Sequence, residues 1–426
     1  MQPLAIVDGI RTPFAKAGAQ LSDIPADELG QMVLSEALLR ADLEGEMLDE
    51  VIMGNVAMPP DAMNIARVCA LKAGIPEDVP AYTVHRNCAS GMESVSSALE
   101  KMNTGYGDIF LAAGTESMSK IPFFYREDVK EAFVDYNNSE GMMEKAKKFA
   151  TLPWGKMLAP IIGVRKGLTD PVAELNMGET AEVLAREFDI GREQQDKFAL
   201  RSHQRAIEGR ERLREEIMEV PLPGDNTLMK DDGGPRENQS MEDLGKLPPV
   251  FADNHGTVTP GNACPITDGA SALVVMSPKK ADDLGYNPLG YLVNYKYAGL
   301  DPARMGLGPA YATGKLVRET DWELSDFDLI EINEAFAVQI LASARLFESE
   351  QFADELGLSS PIGTLDFDIL NVNGGAIAMG HPVGVSGNRL ILTLLKEMNR
   401  RDVETGLATL CVGGGQGAAL AFQREL

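Results

Sequence analysis

The sequence is poor in groups that do acid–base and redox chemistry near neutral pH, with four cysteines and four histidines in 426 residues. Cys69, Cys88, Cys264 and Cys411 lie far apart, and none forms the close C-x-x-C pairing of a zinc site or a dithiol redox motif. No metal is expected, and in a reducing compartment all four should be free thiols. Any reaction that needs imidazole must draw on His85, His203, His255 or His381. Cations are scarce too: 39 Lys and Arg stand against 64 Asp and Glu, a formal net charge of −25. That balance argues against a nucleic-acid partner, because a phosphate backbone needs a basic face. An acidic surface serves solubility. No run approaches the roughly 20 apolar residues of a membrane span. The opening MQPLAIVDGIRTPF lacks the basic segment of a signal peptide, and LAIVDG reads as a buried strand, so a cytoplasmic protein is expected. Phosphate-binding motifs are missing as well. There is no G-x-x-x-x-G-K-[ST] loop, and GGGQG at 413–417 is only a fragment of a dinucleotide fingerprint.

What is present is a layered pattern. The length suits two or three domains, and short apolar runs alternate with amphipathic helical stretches, as in α/β layers. Several segments come in pairs. ADELGQMVLSEALLR (26–40) matches GPAYATGKLVRE (308–319) in helical spacing, and LDEVIMGNV (48–56) matches LSDFDLIEINEAF (324–336) as an acidic turn and then a strand. PITDGASALVVMS (265–277) and CVGGGQGAALAF (411–422) both run through small residues into an apolar strand. TVHRNCASGMESVSSA (83–98) and LNVNGGAIAMGHPVGVS (370–386) each carry a reactive side chain in a turn of small residues before a helix. Four pairs in the same order predict a duplicated α/β unit. Residues 121–252 have a different texture and read as an insertion, with Lys145, Lys147, Lys148, Lys156, Arg165 and Lys166 forming a basic stretch in an acidic chain. Such a stretch can receive a phosphorylated ligand, or it can be a solvated or docking face.

Three side chains attract chemical attention. Cys88 precedes a helix, where backbone N–H groups and the helix dipole favour thiolate; a free cysteine is also commonly a small buried hydrophobe. His85, three residues earlier, is a candidate base, although a residue at that place more often packs or caps. His381 is set among five glycines in NGGAIAMGHPVGVSG (373–387), and Cys411 is followed by three consecutive glycines. Bare backbone of this kind lets N–H groups approach a reacting oxygen.

NCASGMESV, NEAFA (333–337), NGGAIAMGHPVGVSG and CVGGGQGAAL occur in this order, and with them the whole chain resembles the thiolases, which make or cleave 3-ketoacyl-CoA thioesters. The resemblance implies two βαβαβαββ halves in a five-layer αβαβα sandwich with an inserted loop domain. The front half would span 1–120 and 253–281, the loop domain 121–252 and the rear half 282–426. It implies Cys88 as acyl-carrying nucleophile, His381 as its base and Cys411 as the second proton carrier. One oxyanion hole would be formed by His381 and a water on Asn333, the other by the N–H groups of Cys88 and Gly413. Asn176, Met177, Cys264, Ala335 and Phe336 would line the acyl-CoA path; Asn176 stands where the family often has His, and Cys264 where serine is usual. Coenzyme A and acyl-CoA would be substrates, with no resident cofactor. A homodimer or homotetramer is implied, and the 147–171 region is similar to β-subunits that join a fatty-acid oxidation α-subunit. The activity implied is thiolytic cleavage. The alternatives are condensation of two acetyl-CoA and a non-catalytic thiolase-like assembly or lipid-binding subunit. A carrier-protein condensing synthase is disfavoured, because such enzymes generally have histidine where this chain has Cys411.

Overall fold

The computed structural model describes residues 1–224, 227–252, 255–320 and 322–426. In the front half, strand β1 (Leu4–Arg11) is followed by helix α1 (Ala26–Arg40), β2 (Glu50–Gly54), α2 (Ile65–Lys72), β3 (Ala81–Val84), α3 (Ser90–Asn103) and β4 (Ile109–Ser117). The chain then makes its excursion, which includes α4 (Met177–Glu187) and α5 (Arg192–Glu208), and returns as β5 (Thr267–Met276). The boundary expected at residue 253 falls outside the described residues. The rear half comprises β6 (Gly290–Gly299), α6 (Gly308–Arg318), β7 (Leu329–Ile332), α7 (Ala337–Phe347), α8 (Ser386–Arg401), β8 (Thr405–Val412) and β9 (Gln416–Gln423).

The strands form one sheet in the order β7-β8-β9-β6-β1-β5-β4-β2-β3, with the two-residue strand Ala15–Lys16 beside β5. In front, β2 runs parallel to β3 and β4, and β4 and β1 each pair antiparallel with β5. Behind, β7 runs parallel to β8, and β8 and β6 each pair antiparallel with β9. The two orders are the same, and the four sequence pairs fall on equivalent elements. β1 and β6 join the halves, Leu4 opposite Leu292.

Alternation along the strands builds the layers. On β5, Ala270, Ala272, Val274 and Met276 face α1 and α2, while Leu273 and Val275 face a central layer. On β8, Leu407 and Cys411 face α6 and α7, while Ala408, Leu410 and Val412 face the same central layer. That layer is made by α3 and α8, which pack on each other between the two parts of the sheet. The result is helix, sheet, helix, sheet, helix.

One element differs from the symmetric expectation. The rear counterpart of β3 is reduced to a single parallel bridge between Ile330 and Leu370. Arg201 and Arg205 of α5 reach into this segment and donate to the carbonyls of Leu370 and Phe367, while the bridge is made by Ile330 N to the Ile369 carbonyl and Asn371 N to the Ile330 carbonyl. Among the described residues no helix is long and apolar enough to cross a membrane.

Candidate active site

The duplicated topology places Cys88 and His381 at matching positions, each in the connection that leads into a central helix. The front turn begins at Asn87, whose φ of 43° is left-handed, and the rear one at Asn371, with φ 45°. Asparagine tolerates this region better than most side chains. Asn87 Nδ2 donates to the Gly413 carbonyl at 2.6 Å, tying the Cys88 turn to the glycines after Cys411. Ser90 closes the turn by accepting from Arg86 N at 2.9 Å and donating to Asn87 O at 2.7 Å.

The Cys88 sulfur is half-buried and receives the backbone N–H groups of Gly413 and of Cys88 itself. The thiolate expected from the helix terminus is not the resting form. Burial pushes the Cys88 pKa up, with Glu116 adding to the rise, and the two N–H groups only partly oppose it. The order has a physical cause: a helix terminus contributes only about 0.3–1 kcal/mol, whereas burial takes the charged form out of water. Use of Cys88 as a nucleophile would therefore call for a neighbouring base.

His381 has the protonation state for that task. Its Nδ1 pairs with Ser386 Oγ, which donates onward to the Pro382 carbonyl at 3.1 Å. Ser386 must then accept from Nδ1–H, which leaves Nε2 unprotonated. Nε2 is buried and has no partner among the described residues. Burial, helped by the Arg389 guanidinium, lowers the His381 pKa to about 4, so the ring is neutral at pH 7. The main chain of His381 is fixed by donation to Thr267 Oγ1 at 3.1 Å and by a bridge to Ile266.

Asn333 follows β7 and is fully buried, yet neither Oδ1 nor Nδ2 has a partner among the described residues. A buried amide with both ends unsatisfied costs about 1–3 kcal/mol per group, and such groups cluster where a ligand or water is to bind. Its neighbour Glu334 is fully engaged, accepting from Asn371 Nδ2 at 2.8 Å and Ser202 Oγ at 2.5 Å.

Cys411, at the end of β8, is buried, and its pKa lies well above the ordinary value through burial and then the nearby Cys88 and Cys264. Cys264 is half-buried and pushed up to about 12 by burial and by Cys88. Three of the four thiols thus share one electrostatic neighbourhood. Cys69 does not belong to it: it is buried beside α1, donates to the Asp27 carbonyl, and is raised to about 12. Iodoacetamide should accordingly alkylate Cys88 first, since only there do two N–H groups stabilise sulfur charge at a partly open site. Peptide mapping after sub-stoichiometric labelling checks this; preferential labelling of Cys69 would show that the wrong thiol had been chosen.

A cavity of about 470 Å³ is lined by Arg165, Leu168, Asn176, Glu179, Phe251 and Ile266 among others, the last of these bridged to His381. Asn176 caps α4, accepting from Gly178 N at 3.0 Å, and Met177 lies over Gly413, its Sδ 3.4 Å from where a Cβ there would stand. Ala335 O accepts from Cys264 N at 3.0 Å, and the Phe336 ring meets Phe251 edge-on at 6.4 Å. Of the five expected path residues, Asn176 lines the cavity and Phe336 touches its wall through Phe251, while Met177, Cys264 and Ala335 lie outside its lining. Of the basic stretch, Arg165 lines the cavity, Lys156 pairs with Asp128, and Lys148 approaches Asp135 and Glu144. His85 is exposed, and His203 is buried away from this site beside Arg236. Ser386, Thr267 and Glu116 were not singled out in the sequence. Ser386 had a usable signal, five residues after the histidine on the first turn of a helix; the other two had none.

Comparison with known proteins supplies the missing context. Residues 4–279 match the thiolase N-terminal domain and residues 286–424 the thiolase C-terminal domain. The chain belongs to the thiolase family. It is 38% identical to 3-ketoacyl-CoA thiolases of Shewanella sp. (strain W3-18-1) and Yersinia enterocolitica, over 99% of this chain and 97% of each of theirs. Among solved structures, it is similar to the acetyl-CoA acetyltransferase of Bacillus anthracis, with a TM-score of 0.85 and 36% identity over 99% of both chains. It is also similar to human mitochondrial 3-ketoacyl-CoA thiolase in complex with CoA, with a TM-score of 0.84 and 34% identity over 99% of this chain and 98% of that one. As a thiolase, this chain is an acyltransferase.

Proposed function

We propose that the protein cleaves 3-ketoacyl-CoA with free CoA, giving acetyl-CoA and an acyl-CoA shortened by two carbons, within fatty-acid β-oxidation. The observation that carries this is a neutral imidazole with an unpartnered Nε2 on the turn before one central helix, and a thiol receiving two backbone N–H groups on the matching turn before the other. In this reading His381 Nε2 takes the Cys88 proton, and Cys88 sulfur attacks the 3-keto carbon. The bond between carbons 2 and 3 breaks, and its electron pair leaves as the acetyl-CoA enolate. Cys411, a thiol at neutral pH, donates its proton to the enolate carbon. A second CoA thiol then attacks acyl-Cys88, its proton passing to the Cys411 thiolate, and the departing Cys88 sulfur regains its proton from His381 as the shortened acyl-CoA is released. Negative charge develops on two carbonyl oxygens. The N–H groups of Cys88 and Gly413 would receive one; protonated His381 Nε2 and a water on Asn333 would receive the other. Each such donor is typically worth about 10²–10³ in rate.

Coenzyme A and acyl-CoA enter as substrates, along a path on which Asn176, Met177, Cys264, Ala335 and Phe336 would lie; no metal and no resident cofactor is invoked. A cytoplasmic homodimer or homotetramer, with association to a fatty-acid oxidation α-subunit, completes the reading on the strength of the family likeness and the 147–171 segment. Similarity to the Bacillus anthracis acetyltransferase supports the reverse reaction, condensation of two acetyl-CoA, as the second reading. Thiolysis rates across 3-ketoacyl-CoA chain lengths separate the two. The β-oxidation reading expects kcat/KM to hold or rise beyond four carbons, with the parallel-line kinetics of a covalent acyl intermediate. Activity confined to acetoacetyl-CoA would favour the condensing role, and activity on no chain length would end both.

A further inference from the structure

The chemistry just described needs a nucleophile from the front half and a base from the rear half in fixed relation, and a fully buried carboxylate spans the join. Glu116 ends β4 with no exposed surface and, among the described residues, no ion pair. Oε1 accepts from Ala57 N at 2.9 Å and Asn55 Nδ2 at 3.2 Å, both in the turn after β2. Oε2 accepts from Val56 N at 3.1 Å and, across the join, from Gly384 N at 2.9 Å. Gly384 lies three residues beyond His381. Its carbonyl rests on bare backbone, because a Cβ on Gly54 would stand 2.8 Å from it and one on Gly114 2.4 Å. The carboxylate is also close enough to Cys88 to disfavour the thiolate.

We propose that Glu116 is a positioning residue for the thiolase reaction, clamping the His381 turn onto the strand ends that carry the nucleophile's half. The inference rests on the thiolytic reading above and names what sets the distance between its two reacting groups. All four partners are donors, so the charged carboxylate is the fitting form; a protonated oxygen would face N–H groups with nothing to accept its own hydrogen. Burial raises the Glu116 pKa to about 7, the four donors notwithstanding, with Asp268 on β5 the other charged group that contributes. Above pH 8 the clamp is therefore charged. Misplacing a reacting group by about 1 Å costs on the order of 10²-fold in rate.

Two variants test the clamp from opposite sides at pH 8.5. Glu116→Gln sets an NH₂ group against backbone donors. Gly384→Ala puts a Cβ 2.9 Å from Glu116 Oε2 without altering charge. Both should lower kcat for acetoacetyl-CoA thiolysis by about 10- to 100-fold, with KM within about twofold of wild type. The alkylation of Cys88 by iodoacetamide adds a readout that simple loosening of the packing would not move. Its pH midpoint should shift downward in Glu116→Gln, where a neighbouring negative charge is gone, and stay in place in Gly384→Ala. Wild-type kcat in either folded variant overturns the proposal, as does an unmoved midpoint in Glu116→Gln. Should Glu116→Gln fail to fold, the kcat of Gly384→Ala decides alone. A wild-type enzyme that does not cleave 3-ketoacyl-CoA refutes the parent reading instead, and that result is distinct from either variant's.

Discussion

Cys88→Ala abolishes thiolysis of acetoacetyl-CoA while the protein stays folded. The loss should be at least about 10⁴-fold, since without the sulfur there is nothing to carry the acyl group between two CoA molecules. Tolerance of the change follows from the local structure. The turn is held by Asn87, Ser90 and the Arg86 main chain, and none of these bonds involves the thiol. Steady-state rates checked against a thermal melt give the answer. Activity near wild type with an unchanged melt would place the chemistry on another residue and remove the basis of the functional reading.

Cys411→Ala separates the two proton transfers. Exchange of solvent deuterium into the acetyl-CoA methyl should fall by about 10²–10⁴-fold, the usual contribution of a positioned acid or base. Exchange of the acetyl group between CoA molecules through Cys88 should fall far less. The physical ground is the environment of Cys411: buried, with its pKa held well above the ordinary thiol value. The group is protonated when the enolate forms and is an effective donor to carbon. In the condensing direction the same burial makes its thiolate a strong base. Following both exchanges on one preparation decides the matter; equal losses would contradict the division of labour.

Much of this was legible before any coordinates because the chain repeats itself. Periodicity marked α1 against α6, and small residues before an apolar run marked β5 against β9, so the duplicated α/β unit followed from pattern and the five layers from the resemblance to the thiolases. His381 and Cys411 stood out because reactive side chains beside several glycines are costly to order without purpose, and Cys88 because small residues lead from it into a helix. What the sequence withheld depends on three-dimensional neighbours. The Cys88 pKa could not be read from a helix terminus, because the opposing influence is burial created by chain hundreds of residues away. Glu116 sits in an ordinary strand sequence, LAAGTES, and becomes notable only when the Gly384 amide arrives from the other half. The segment beside β7 is likewise held by Arg201 and Arg205 reaching in from the insertion, an interaction that no local propensity encodes.

The matched placement of Cys88 and His381 has an evolutionary consequence. Two identical subunits packed about a symmetry axis would present the same side chain from both sides, sulfur facing sulfur or ring facing ring. Once both copies lie on one polypeptide, selection can act on each separately, and one can keep the attacking atom while its sibling keeps the proton acceptor. Here the fusion lets two matching turns carry different side chains, Cys88 in one and His381 in the other.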